Sequence, residues 1–129
     1  MENIVVEAEK YVISLLNEKL DATFVYHNLA HTQRVAVKSK ELSELSSISD
    51  KEKEHLQLAA WFHDTGFTKG SNAHEKESSK IASAFLEKHN YPENDIKSVI
   101  DLILATEMHY TPTSVLEKII RDADSSHIG

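Results

Sequence analysis

Three places in the chain put metal-binding side chain types on faces that should point inward. His31 shares a helical face with Val35 and Leu42, and His63 lies seven residues after Leu56 and three after Ala60, in the run AAWFHD that also supplies Asp64. Asp124 follows Ile120 by four residues and Leu116 by eight, so it extends an apolar stripe with a carboxylate. An unpaired buried charge costs on the order of several kcal/mol, so such a carboxylate needs a cation or several hydrogen-bond donors. One divalent ion would satisfy all four groups, because two imidazoles and two carboxylates form a donor set suited to Mn, Fe, Zn or Ni. A single inward histidine is more often a hydrogen-bonded core residue. The case for a metal rests on the three stripes together.

The elements that must carry these residues are helices. From about Glu2 to Leu20, Ile4, Ala8, Tyr11/Val12 and Leu15/Leu16 recur at steps of three and four, the period of an amphipathic helix. Asn28 to Ser47 repeats the pattern with His31, Val35, Leu42 and Leu45, and the Ser-rich linker SSISD closes it. Ser49 and Glu52 form a capping box that opens a third helix through Leu56, Ala60 and His63. That helix is expected to stop at Thr65-Gly66, with the glycine in the left-handed cap conformation. Adjacent residues of a continuous helix diverge by about 100°, so a helix end at this point helps His63 and Asp64 share one ion. After the loop FTKGSN, Asn72 can cap a fourth helix bearing His74, Ser78, Ile81 and Phe85. Pro92 suits the first turn of a fifth helix, with Ile96, Val99/Ile100 and Ile103, and Pro112 opens a sixth.

Composition supports an all-α, compact bundle of about six helices in a single domain. Three glycines and two prolines in 129 residues leave too few turn-formers for a many-stranded sandwich or barrel. Net charge −7 gives a phosphate backbone or an anionic lipid surface no broad electrostatic footing, so neither a nucleic-acid polymer nor a membrane is an expected partner. With no cysteine there is no disulfide, thiolate site or cysteine nucleophile. The N-terminus MENIVVEAEK lacks the form of a secretion signal, and a cytoplasmic location is expected.

The segments YHNLAHTQRV, AAWFHDTGF and RDADSSHIG carry His31, His63-Asp64 and Asp124 in the order H…HD…D. In that order, with apolar residues before HD and the ending DAD-x-x-x-x-G, the chain resembles the HD-domain superfamily of metal-dependent phosphohydrolases. HDTGF followed by HEKES is similar to small bacterial HD domains of nucleotide-signalling or predicted phosphohydrolase proteins. The resemblance implies that His31, His63, Asp64 and Asp124 bind a divalent metal (Mn, Fe, Ni, Co or Zn, or Mg). It also implies hydrolysis of a phosphate ester in a nucleotide or nucleotide second messenger, with Asp64 orienting a water that the metal makes acidic. A catalytically weak metal- or nucleotide-binding signalling module is the alternative.

Members with two metals carry extra histidines between HD and the last Asp, and His74 is the better placed candidate for a second ion; His109, in TEMHY, reads as a loop residue. Alternatively His74 and Glu75 handle protons, or His74 is simply exposed at a helix start. Arg34, one turn from His31, could grip a phosphate or form a surface ion pair, and Lys69, in the glycine-bounded loop, could contact substrate or be solvated. His27 and Asn28 read as residues just ahead of the second helix, capping it or bonding a ligand. His55, His89 and His127 read as structural or exposed. Since Asp124 stands five residues from the last residue given, the 129 residues are expected to be the N-terminal part of a longer protein.

Overall fold

In the computed structural model, residues 3–19, 22–66, 74–107 and 110–125 are described, and among them there are six helices and no strand. They are α1 (Ile4–Lys19), α2 (Ala22–Glu44), α3 (Asp50–Phe62), α4 (His74–Lys88), α5 (Glu93–Leu104) and α6 (Val115–Ser125). No described helix is long and apolar enough to cross a membrane.

The shortness of the apolar alternation in LQLAAWF has a simple cause: α3 packs against each of the other five helices. Its second half is therefore buried on every side, with Leu56, Leu58, Ala59, Ala60 and Phe62 fully enclosed. A helix surrounded in this way shows no polar face to reveal its period. Its start is fixed by the expected capping box, with the Ser49 hydroxyl accepting from the Glu52 amide at 3.1 Å and the Glu52 carboxylate accepting from the Ser49 amide at 2.9 Å.

Around this axis α1 contributes Ala8, Val12 and Leu16, and Tyr11 lies at the margin, its ring 4.9 Å from Phe85 and 6.2 Å from Phe62. α2 turns a row of small and β-branched residues inward (Thr32, Val35, Ala36, Ser39 and Ser43), which lets α3 and α6 approach closely. The expected inward Leu45 is a correction. It lies one residue beyond the helix and is exposed, because the stripe that faces the core is the small-residue row.

Three boundaries also differ from expectation. α2 begins at Ala22, so His27 and Asn28 lie inside it and cannot cap it; its side chains are described from Asn28 onward. Pro92 is the residue before α5 and not part of its first turn, its carbonyl accepting from the Ile96 amide. α6 starts after Ser114, not at Pro112: the Ser114 hydroxyl accepts from the Glu117 amide, and the Glu117 carboxylate gathers the Thr113 amide and hydroxyl and the Tyr110 hydroxyl. Asn72, Lys69, His109 and His127 lie outside the described residues.

Candidate metal centre

α3 ends where the chemistry begins. A helix C-terminus leaves carbonyls without intrahelical partners, and here side chains take them. His63 Nδ1 donates to the Ala60 carbonyl at 2.6 Å, the Thr65 hydroxyl donates to Phe62 at 2.8 Å, and the Ser78 hydroxyl of α4 donates to His63 at 2.8 Å. The regular hydrogen bonding of α3 therefore ends at Phe62, with His63 still at helical angles (φ −59°, ψ −28°) and the Ala60, Phe62 and His63 carbonyls taken by side chains. Gly66 contributes differently from expectation: it is not in the left-handed region, and its role is space, since a β-carbon there would stand 2.0 Å from the His74 carbonyl oxygen. Among the described non-glycine residues the left-handed one is Asn90 (φ 58°), which follows α4 and lets the Tyr91 amide reach back to Leu86.

The bond from Nδ1 to Ala60 decides the His63 tautomer, because a carbonyl can only accept, and it leaves Nε2 facing the site. His63 Nε2 stands 3.3 Å from His31 Nε2 and 3.2 Å from Asp124 Oδ1, and His31 Nε2 is 2.9 Å from that same oxygen. Asp64 Oδ2 approaches both imidazoles, at 3.3 Å from His31 and 3.4 Å from His63. Two imidazole nitrogens at this distance, both against carboxylates, need a hydrogen or a metal ion between them.

Full burial alone would lower the His63 pKa, but the Asp64 charge, the Asp124 hydrogen bond and charge, and the Ala60 carbonyl outweigh it and raise it to about 9. Burial would raise Asp124, yet its hydrogen bonds with His31 and His63 hold it well below the usual carboxylate range. A metal would take the place of that shared proton.

The donor spacing fits an ion. For metal–nitrogen and metal–oxygen bonds of about 2.1 Å, neighbouring donors in a tetrahedral or octahedral shell stand about 3.0–3.4 Å apart. The separations within His31, His63 and Asp124, 2.9 to 3.3 Å, lie close to that range, and Asp64 Oδ2 stands 3.3 and 3.4 Å from the two imidazoles. Among the described residues, His31, His63 and Asp124 are the one group whose ligand atoms all lie within 4.8 Å of one another, and Asp64 adjoins it through both imidazoles. No described lysine or arginine pairs with any of these carboxylates.

A family model described as HD domain matches residues 28–129. The chain belongs to that family. HD domains bind divalent metals and are mostly metal-dependent phosphohydrolases. No curated protein and no solved structure matches the chain. The HD match begins inside α2, so α1, which packs on α2 and α3, precedes it.

At the rim of the HD centre, His74 opens α4 with Nε2 3.6 Å from Asp64 Oδ1 and 2.9 Å from Glu75 Oε2. Asp64 thus shows one oxygen to His31 and His63 and the other to His74. Arg34 is exposed on α2 and forms no ion pair with a described residue, contrary to the surface-pair reading. His55 is buried and bonded to Asp95 at 2.9 Å, and His89 stacks on Phe85 with ring centroids 4.3 Å apart.

Two contributors escaped the sequence reading. Arg121, three residues before Asp124, donates to the Ala105 and Glu107 carbonyls at 2.9 and 2.7 Å, tying α6 to the end of α5. Ser78 was legible only as a polar residue on the apolar face of α4, one turn after His74.

Proposed function

We propose that this HD domain hydrolyses a phosphate ester of a nucleotide or nucleotide-derived messenger, with His31, His63, Asp64 and Asp124 holding the divalent ion. The observation that supports this most is the spacing of His31, His63 and Asp124 at ligand-to-ligand distances, with Asp64 against both imidazoles and no described lysine or arginine paired with either carboxylate. When bound, a divalent ion supplies Lewis acidity toward a phosphoryl oxygen and makes water more acidic.

The chain's own groups do the rest. Asp64 Oδ1, on the side of His74, can accept a hydrogen bond from the attacking water and orient it. Glu75, 2.9 Å from the His74 ring, makes a proton-handling pair at a partly open rim. As the water oxygen bonds to phosphorus, this pair takes its proton, and the departing ester oxygen receives one as its bond to phosphorus breaks. His74 serves equally as a ligand if a second ion enters beside Asp64. Arg34, exposed one turn from His31, offers a planar guanidinium to the phosphate, and Lys69, five residues after Asp64 in the sequence, is a second cation assigned to the phosphate.

The test is elemental analysis of purified protein with a panel of nucleotides and cyclic nucleotides assayed with Mn, Mg, Ni and Co. Stoichiometric metal and turnover of one phosphate ester are expected. Metal without turnover of any ester would leave a binding module, and no metal would remove the reading.

A further inference from the structure

Two adjacent serines on α4 behave differently. Ser79 bonds back to the Glu75 carbonyl at 2.9 Å, the usual resort of a serine inside a helix, and Ser98 does the same to Asn94. Ser78 reaches off its own helix. Its hydroxyl donates to the His63 carbonyl and accepts from the Gly66 amide, both at 2.8 Å, in a fully buried position. One oxygen thus closes both ends of the turn that contains Asp64.

Gly66 reports the same junction independently. The space a β-carbon would need is filled by backbone of α4: the His74 carbonyl at 2.0 and 2.8 Å and the Ser78 amide nitrogen at 2.9 Å. The HD turn and the first turn of α4 are therefore in backbone contact, with Ser78 one helical turn after His74. Whatever sets the angle of one sets the other.

We infer that Ser78 is the positioning residue that locks the His63-Asp64 turn to α4, so that the metal ligands and the His74-Glu75 pair hold one geometry. This rests on the metal-dependent reading above and adds a residue that touches neither metal nor substrate. Losing the hydroxyl leaves a buried carbonyl and a buried amide unpaired, and the turn relaxes to find other partners. Groups that orient ligands from behind characteristically change metal affinity about 10–100-fold when lost.

The experiment compares Ser78→Ala with Ala82→Gly, one turn further along α4 at another fully buried position that has no side-chain hydroxyl to bond the turn. Glycine in a helix interior weakens it without touching the HD turn. Each variant is titrated with Mn2+, its Co2+ absorption spectrum is recorded, and its metal-free melting temperature is measured. The expected result is a Mn2+ affinity about 10–100-fold weaker and an altered Co2+ spectrum in Ser78→Ala, with Ala82→Gly close to wild type at a comparable loss of melting temperature. If Ser78→Ala yields no folded protein, Ser78→Cys carries the comparison, since a thiol is a longer and weaker partner. Equal affinities and spectra in the two variants would overturn the positioning role while leaving the metal centre standing. A wild type that binds neither Mn2+ nor Co2+ overturns both.

Discussion

α3 and the residue that caps its end present two buried histidines, His55 and His63, eight residues apart, and each meets a carboxylate from another helix. Around His55 the charges close among themselves. Asp95 Oδ1 lies 2.9 Å from its Nε2, Lys51 stands 3.5 Å from both Asp95 and Glu54, and the Tyr91 hydroxyl donates to Glu54 at 2.6 Å. The Lys51 ammonium also sits 4.9 Å from the centre of the Tyr91 ring. Around His63 there is a second imidazole and a second carboxylate, and among the described residues no lysine or arginine. The first cluster is a finished ion-pair network. The second gathers imidazoles and carboxylates without a lysine or arginine among the described residues, a donor group that could hold a metal ion.

The comparison breaks most completely if the two clusters can exchange roles. His63→Ala or Asp64→Ala should abolish metal binding and turnover together, since three donors leave an incomplete shell. In wild type, saturating metal at a hundred times its Kd should stabilise the fold by about 2.7 kcal/mol, and neither variant should show that rise. A calorimetric scan with and without Mn2+ decides it, and a metal-dependent rise retained in both variants would remove the centre.

Asp95→Ala tests the other side. Leaving the His55 Nε2 without its carboxylate should cost about 1–3 kcal/mol of stability, read by urea unfolding of the metal-free protein. Metal affinity should remain within about twofold, because eight residues at about 1.5 Å each separate the clusters along α3. A large loss of metal affinity in this variant would show the two networks to be one.

How much of this was legible in the sequence follows from what each residue needs. The six helices were readable because period and caps are local, and the Ser49–Glu52 box is complete within four residues. The order H…HD…D was readable because His31, His63 and Asp124 each continue an apolar stripe and Asp64 adjoins His63. Gly66 was readable as a helix end but not as a close approach, since the obstructing carbonyl belongs to His74, eight residues on. Arg121 and Ser78 were hidden for the same reason: their partners are backbone groups of other elements, and a backbone carbonyl carries no sequence signal. The exposed Leu45 shows the converse, a hydrophobic residue in phase with a stripe the fold does not use.

A subtler difference between the clusters should appear on titration of the metal-free protein. The His63 pKa rises from an ordinary 6.5 to about 9 on folding, so its contribution to stability is fully present below about 6.5 and is lost as pH climbs through about 9. Asp124 is depressed from 3.8, so its contribution is present above that value and is lost as pH falls below it. With chelator present, the melting temperature should therefore fall between pH 6 and pH 9.5. Bound metal should flatten that fall by replacing the proton. Asp95→Ala should keep the fall and Asp124→Asn should diminish it. A metal-free melting temperature unchanged over this span would mean that His63 is not held by its carboxylates.

The smallest effect comes from removing the cation that closes the His55 cluster. Lys51→Met leaves Glu54, His55 and Asp95 without their ammonium, and since Lys51 is half exposed, water screens the loss to less than about 1 kcal/mol. The charge balance then resembles that around His63, but the arrangement of atoms does not. Asp95 Oδ1 is already bonded to His55, the Glu54 oxygen is held by Tyr91, and only one imidazole is present. Lys51→Met should therefore acquire no second Mn2+ site, as counted by metal stoichiometry in a protein whose HD centre is intact. A second equivalent of bound Mn2+ would show that missing positive charge alone makes a site on this fold. Unchanged stoichiometry would assign the difference to convergence, to side chains from α2, α6 and the end of α3 meeting at one point.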